Sequence, residues 1–183
     1  MKKWLFLILL FPLICVAQTY RYLGVEDGLS NRRVYCIQKD KTGYMWFLTH
    51  EGIDRYNGKE FKRYKLMDGD AEVNSLLNLN WLYIDQEGVL WEIGKKGKVF
   101  RYDQIHDCFN LVYKLPMESF SEQPDPITYA WLDENKHIWL CNKDTIFLYN
   151  TETQLVTHIK NDISEEITDI EQIDESHFFI GTE

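Results

Sequence analysis

A chain of 183 residues is long enough for one domain with a sizeable core. Its 15% aromatic content separates it from disordered acidic sequences, which carry few aromatics. The formal charge of -9, from 20 Lys and Arg against 29 Asp and Glu, argues against a nucleic-acid backbone or an anionic membrane surface as partner.

Residues 1–17 read as an export signal. Met1-Lys2-Lys3 is a short basic start, Trp4 to Ile14 is an almost unbroken apolar run, and Cys15-Val16-Ala17 ends on a small residue. The run is short for a membrane span and a polar chain follows at once. A lipoprotein signal would place a small residue before Cys15, where Ile14 stands, so cleavage after Ala17 is expected; an uncleaved anchor is the alternative. Cleavage leaves Cys36, Cys108 and Cys141, whose irregular spacing is neither a disulfide framework nor a zinc pattern. Cys36 and Cys141 lie within apolar runs and are expected as buried free thiols.

Residues 18–33 form a lead-in and a candidate closing strand. A first unit follows over 34–78, with strands expected at 34–39, 44–49, 53–56 and 60–64. Asp40-Lys41-Thr42-Gly43 makes the first turn: the Asp side chain caps turn amides, and the glycine takes the left-handed position. Asn57-Gly58 between alternating strands is a strong hairpin signal.

The pattern then repeats. Asp40, Gly43 and Trp46 recur 45 residues later as Asp85, Gly88 and Trp91 in a second unit, 79–126. A third, 127–166, carries Asp133 and Trp139, with Lys136 in place of the glycine. A fourth begins at 167 with Asp174 and aligns Phe179 with the tryptophans. Arg55-Tyr56-Asn57, Arg101-Tyr102-Asp103 and Leu148-Tyr149-Asn150 occupy corresponding places. Units of about 40–50 residues rich in β-branched and aromatic residues match propeller blades of four strands. The expectation is therefore an all-β chain forming an incomplete β-propeller of about three and a half four-stranded antiparallel blades. Because Asp40, Asp85, Asp133 and Asp174 recur with the same neighbours, they are read as scaffold rather than as catalytic carboxylates. Each tryptophan is placed to pack between neighbouring sheets.

These residues resemble the two-component regulator propeller repeat. The resemblance rests on Asp27-Gly28-Leu29-Ser30, the Asp-x-x-Gly-x-x-Trp turn, the Thr49-x-x-Gly52 step and Arg55-Tyr56-Asn57-Gly58, and it is closest in the first unit. Gly94 replaces the threonine of the second unit's step, and Lys136 replaces the third unit's turn glycine. The resemblance implies a periplasmic sensory region of a membrane-anchored regulator, often a hybrid sensor histidine kinase of the Bacteroidetes type. It also implies an oligosaccharide ligand, and a remainder of the propeller and a downstream membrane-anchored signalling region as partners; no cofactor is expected. A homodimer is a further candidate assembly. Three and a half units cannot close a ring of roughly 4–8 blades, so the sequence reads as the N-terminal piece of a longer receptor.

Other chemistry is weakly represented. His50, His106, His137, His158 and His177 show no metal-ligand pairing, and no nucleophile elbow, phosphate loop or dinucleotide fingerprint is present. The basic run Gly94 to Lys98 reads as a solvated turn. No catalytic or metal-binding residue is assigned, and the ligand-binding residues stay unassigned, because exposed aromatics cannot be told from packed ones in sequence. The alternatives to a sensor are a secreted propeller enzyme of the lyase or glycosidase type and a protein-interaction propeller.

Overall fold

The computed structural model describes residues 20–69, 71–73, 79–115, 126–163 and 165–183. The export signal therefore lies outside the described residues. Sixteen strands are found among them, arranged as three sheets of propeller type, antiparallel but for one parallel pairing in the second, and the beginning of a fourth.

The first sheet is β1 (Val34–Lys39), β2 (Met45–Thr49), β3 (Gly52–Tyr56) and β4 (Phe61–Tyr64), paired in chain order. The segment after it forms a small hairpin, β5 (Leu66–Asp68) and β6 (Ala71–Val73). This hairpin joins the second sheet: β5 pairs in parallel with β10, Leu66 opposite Phe109. The second sheet is otherwise a meander of β7 (Leu79–Ile84), β8 (Leu90–Gly94), β9 (Lys98–Asp103) and β10 (Cys108–Lys114). The third is β11 (Tyr129–Leu132), β12 (His137–Cys141), β13 (Thr145–Asn150) and β14 (Val156–Lys160). The fourth has β15 (Ile167–Gln172) and β16 (Phe178–Thr182). The all-β, incomplete-propeller expectation holds.

Successive sheets meet along their first strands, β1 against β7, β7 against β11 and β11 against β15. Period-two alternation in each strand supplies two apolar faces, and each face finds a different neighbour. Trp46, Leu48 and Ile53 of the first sheet pack against Leu82, Leu90, Phe100 and Phe109 of the second. Trp91, Ile93 and Val99 turn the other way, onto Ala130, Ile138, Leu140 and Tyr149 of the third. Trp139, Cys141 and Ile146 then meet Ile167 and Ile170 of the fourth. The recurring tryptophans are thus buried where one sheet meets the next, Trp46 at 1% exposure.

The opposite face of the first sheet is covered by the lead-in. Val25–Asp27 make a single 3-10 turn, closed by Gly28 in the left-handed region (φ 106°). Leu29 inserts against Phe47 and Tyr56, with Leu23 and Phe61 beside them. Cys141 is buried, whereas Cys36 and Cys108 are only half-buried; all three are free thiols. Cys36 remains accessible because β1 is the first strand of its sheet, lying along β7 with its thiol 3.5 Å from the Leu82 carbonyl.

Candidate functional site

The repeated aspartates close their turns and reach beyond them. Asp40 Oδ1 accepts bonds from the amides of Thr42 (2.9 Å) and Tyr44 (3.0 Å), and its Oδ2 accepts one from Trp46 Nε1 at 2.8 Å. Asp85 does the same for the amides of Glu87 and Val89 and for Trp91 Nε1, at 2.9 Å. Asp133 holds the His137 amide and Trp139 Nε1, again at 2.9 Å. Gly43 and Gly88 sit at φ 95° and 92°, and Lys136 adopts φ 65° in the same place. Lys136 is tied down by ion pairs to Glu87 and Glu152, both 2.5 Å. Asp174 lies in the exposed turn of the fourth sheet and bonds the Ser176 and His177 amides. One carboxylate therefore fixes both a turn and the indole that fills the neighbouring core. The aspartate-to-indole bond, six residues apart in all three units, is the connection that the sequence pattern implied but did not spell out.

A second arrangement joins the first two sheets near the same turns. Asp107, in the turn between β9 and β10, has φ 52°. Its carboxylate accepts bonds from Tyr102 (2.5 Å), Tyr64 (2.7 Å) and Arg55 (3.4 Å), and from Lys62. Burial opposes the charge, but these bonds outweigh it and hold the carboxyl far below the ordinary range. The same contacts act in reverse on the phenols. Burial and then the bond to Asp107 push Tyr102 up to about 12, and Tyr64 rises further. The Arg55 guanidinium lies 4.5 Å from the Tyr44 ring centre and 5.2 Å from that of Tyr64, within cation–π range. Three strands of two sheets are thus clasped by one acid.

Outside this clasp lies a cleft of about 890 Å³, bordered by Thr42, Tyr44, Arg55, Arg101, Tyr102 and Asp107. Its walls offer aromatic faces, hydroxyls and the exposed Arg101, whose guanidinium carbon lies 5.8 Å from the Trp91 ring centre. Such a surface can stack and hydrogen-bond a polar ligand. Among the described residues no group of His, Cys, Asp and Glu is placed to hold a metal ion. His106 and His177 pair with Asp103 and Asp174 in exposed turns, at 2.7 and 2.9 Å, and His137 lies 3.4 Å from Asp133. No helix among the described residues is long and apolar enough to cross a membrane.

The lead-in motif has its own partner. The Ser30 amide and hydroxyl both donate to Asp54 Oδ2, at 2.8 and 2.5 Å, and the Ser30 hydroxyl also meets Thr49 Oγ1 at 2.8 Å. Thr49 in turn bonds the Gly52 carbonyl and the Glu51 amide. Gly28, Leu29, Ser30, Thr49 and Gly52 are therefore one structural unit. The family model for the two component regulator propeller matches residues 28–51, the span that holds four of these five residues and the Asp40 turn. Residues 28–51 match a two component regulator propeller repeat.

Solved structures share this propeller architecture. The extracellular domain of the putative hybrid two component system BT3049 from B. thetaiotaomicron is 25% identical over 88% of the chain, with a TM-score of 0.69. The corresponding domain of the putative hybrid two component system BT4673 from the same organism is 21% identical over 91% of the chain, with a TM-score of 0.68. The chain spans 24% and 22% of those two domains, so it corresponds to about a quarter of each. A comparison with curated proteins found no match.

Proposed function

We propose that this chain is part of the extracytoplasmic sensory propeller of a two-component signalling receptor, and that the receptor binds an oligosaccharide without turning it over. The observation that carries this reading is the regulator-type repeat at residues 28–51 on a backbone shared with the extracellular domain of a hybrid two component system. The basic-apolar start at Met1 to Ala17 supports export to the periplasm. The aspartates that recur most prominently are committed to turns and indoles, which supports a binding role over a catalytic one. The rest of the propeller and a membrane-anchored output region are the partners this reading requires.

The test is titration calorimetry of the receptor's whole extracytoplasmic region against a panel of oligosaccharides, with a product assay on the same sugars. A saturable heat from one sugar class with no product is the expected result. Release of shorter sugars would replace the sensor by an enzyme, and a flat titration across the panel would remove the oligosaccharide.

A further inference from the structure

The residue that follows the tryptophan and its cross-strand neighbour form an equivalent pair in each of the first three sheets. In the first sheet the pair is Phe47 and Asp54, in the second Glu92 and Phe100, and in the third Leu140 and Phe147. The first two sheets thus carry an acid and an aromatic in exchanged positions. Asp54 is met by Ser30. Glu92 is met by nothing: it is fully buried, and both carboxyl oxygens are without a hydrogen-bond partner. Its cross-strand neighbours are Leu82 and Phe100, both in the core between the first and second sheets.

We propose that the contact between the first and second sheets is a proton-linked seam, closed while Glu92 is neutral and loosened as Glu92 ionises. An ionised carboxylate in an apolar core without donors is strongly disfavoured. Burial alone pushes the Glu92 carboxyl well above its usual range. The other titratable groups bordering this seam are already committed elsewhere. Arg55 on β3, Tyr64 on β4 and Tyr102 on β9 are gathered by Asp107. Lys98 on β9 lies 3.7 Å from Asp68 on β5, and the Cys36 thiol on β1 faces the Leu82 carbonyl. On β8 itself, Leu90 shares the face of Glu92 and carries no charge.

The sign follows from linkage. The folded carboxyl has a raised pKa, so the seam is strongest below the exposed glutamate value of about 4.3 and weakens as pH rises toward the folded value. Over that window, opening coupled to loss of one proton becomes about tenfold more frequent per pH unit. The cleft bordered by Tyr44 and Tyr102 spans the same two sheets, so the proton and any ligand bridging the cleft act on one equilibrium.

Hydrogen exchange of the intact chain from pH 5 to 9, corrected for intrinsic rates, tests the seam. In the wild type, protection of β2 and β8 amides should fall by about tenfold per pH unit relative to β12 and β13. In Glu92→Gln and Glu92→Met that relative fall should vanish; the methionine variant preserves the measurement if a buried amide prevents folding. An unchanged fall in both variants, or no fall in the wild type, overturns the proposal.

Discussion

Ser30 donates its amide and its hydroxyl to a single oxygen of Asp54, across 24 positions of sequence, and thereby fastens the lead-in to the first sheet. Asp54 is fully buried and its other oxygen has no partner. The lead-in brings Leu29 onto Phe47 and Tyr56 in the same act, so one polar contact sets the register of an apolar one.

Ser30→Ala removes both the hydroxyl donor and the bridge to Thr49, leaving a buried carboxyl less satisfied. Such a loss costs about 1–3 kcal/mol. Burial raises the Asp54 carboxyl, while Ser30's bonds to the charged form work against that rise. Without the hydroxyl the folded carboxyl rises further. The variant's deficit should therefore be largest near pH 7 and shrink on acidification toward the unfolded aspartate value of about 3.9. Urea midpoints at several pH values would show this; a deficit independent of pH would mean that the hydroxyl does not act through Asp54.

Trp46 and Asp40 form a single device. Trp46→Ala empties a large aromatic site at the first seam and should cost about 3–5 kcal/mol. Trp46→Phe keeps most of the packing and loses only the indole donor, so it should cost clearly less. Combining Asp40→Ala with Trp46→Phe should give a coupling energy of about 0.5–3 kcal/mol, because both changes remove one bond. Strict additivity in denaturant unfolding would show that the 2.8 Å bond contributes nothing to stability.

Much of this architecture was legible because the repeat is local. The strands expected at 34–39, 44–49, 53–56 and 60–64 are found at Val34–Lys39, Met45–Thr49, Gly52–Tyr56 and Phe61–Tyr64, each within a residue at its boundaries. Asp-x-x-Gly and Asn-Gly encode their own turns, so spacing suffices to find them. The hairpin β5–β6 was not legible. Its strands are three residues each, and its place beside β10 is set by Leu66 entering the core formed with Phe109, a contact distant in sequence. The clasp on Asp107 was equally hidden, since its donors Arg55, Lys62 and Tyr64 come from the preceding sheet. Glu92 stands between Trp91 and Ile93, where alternation alone would turn a polar residue to solvent; its burial against Leu82 and Phe100 is a property of the packing of the sheets. The ligand-contacting residues depend on which aromatics stay exposed, and that is a property of packing rather than of composition.

Gly97 is fixed by space as well as by conformation. Its φ is 67°, and a Cβ built there would lie 2.2 Å from Leu115 Cδ1. Leu115 is buried in the core between the second and third sheets, and its amide bonds the Gly97 carbonyl at 3.0 Å. Gly97→Ala should therefore lower the thermal midpoint, whereas Gly58→Ala, at φ 92° with open space around the added methyl, should show only the conformational cost. Equal losses in the two variants would remove the steric argument at Leu115.

Asp107 should make the first seam acid-labile. Its carboxyl is held below the ordinary aspartate value by donors from both sheets, although burial works in the other direction. A depressed folded pKa gives stability that is present above the unfolded value of about 3.9 and is lost as pH falls from there toward the folded one. The Asp107 side chain is 35% exposed, so solvent screens part of the effect. Asp107→Asn keeps the shape of the clasp but cannot offer a charged acceptor to Arg55 and Lys62. The variant should be less stable than the wild type at pH 6 and should approach it as both are taken toward pH 3. Glu92 acts on the alkaline side of the same seam, so the two variants separate by pH: Asp107→Asn should flatten the acid limb and leave the alkaline limb unchanged. Parallel stability curves for wild type and Asp107→Asn between pH 6 and pH 3 would show that the clasp holds the sheets by packing alone.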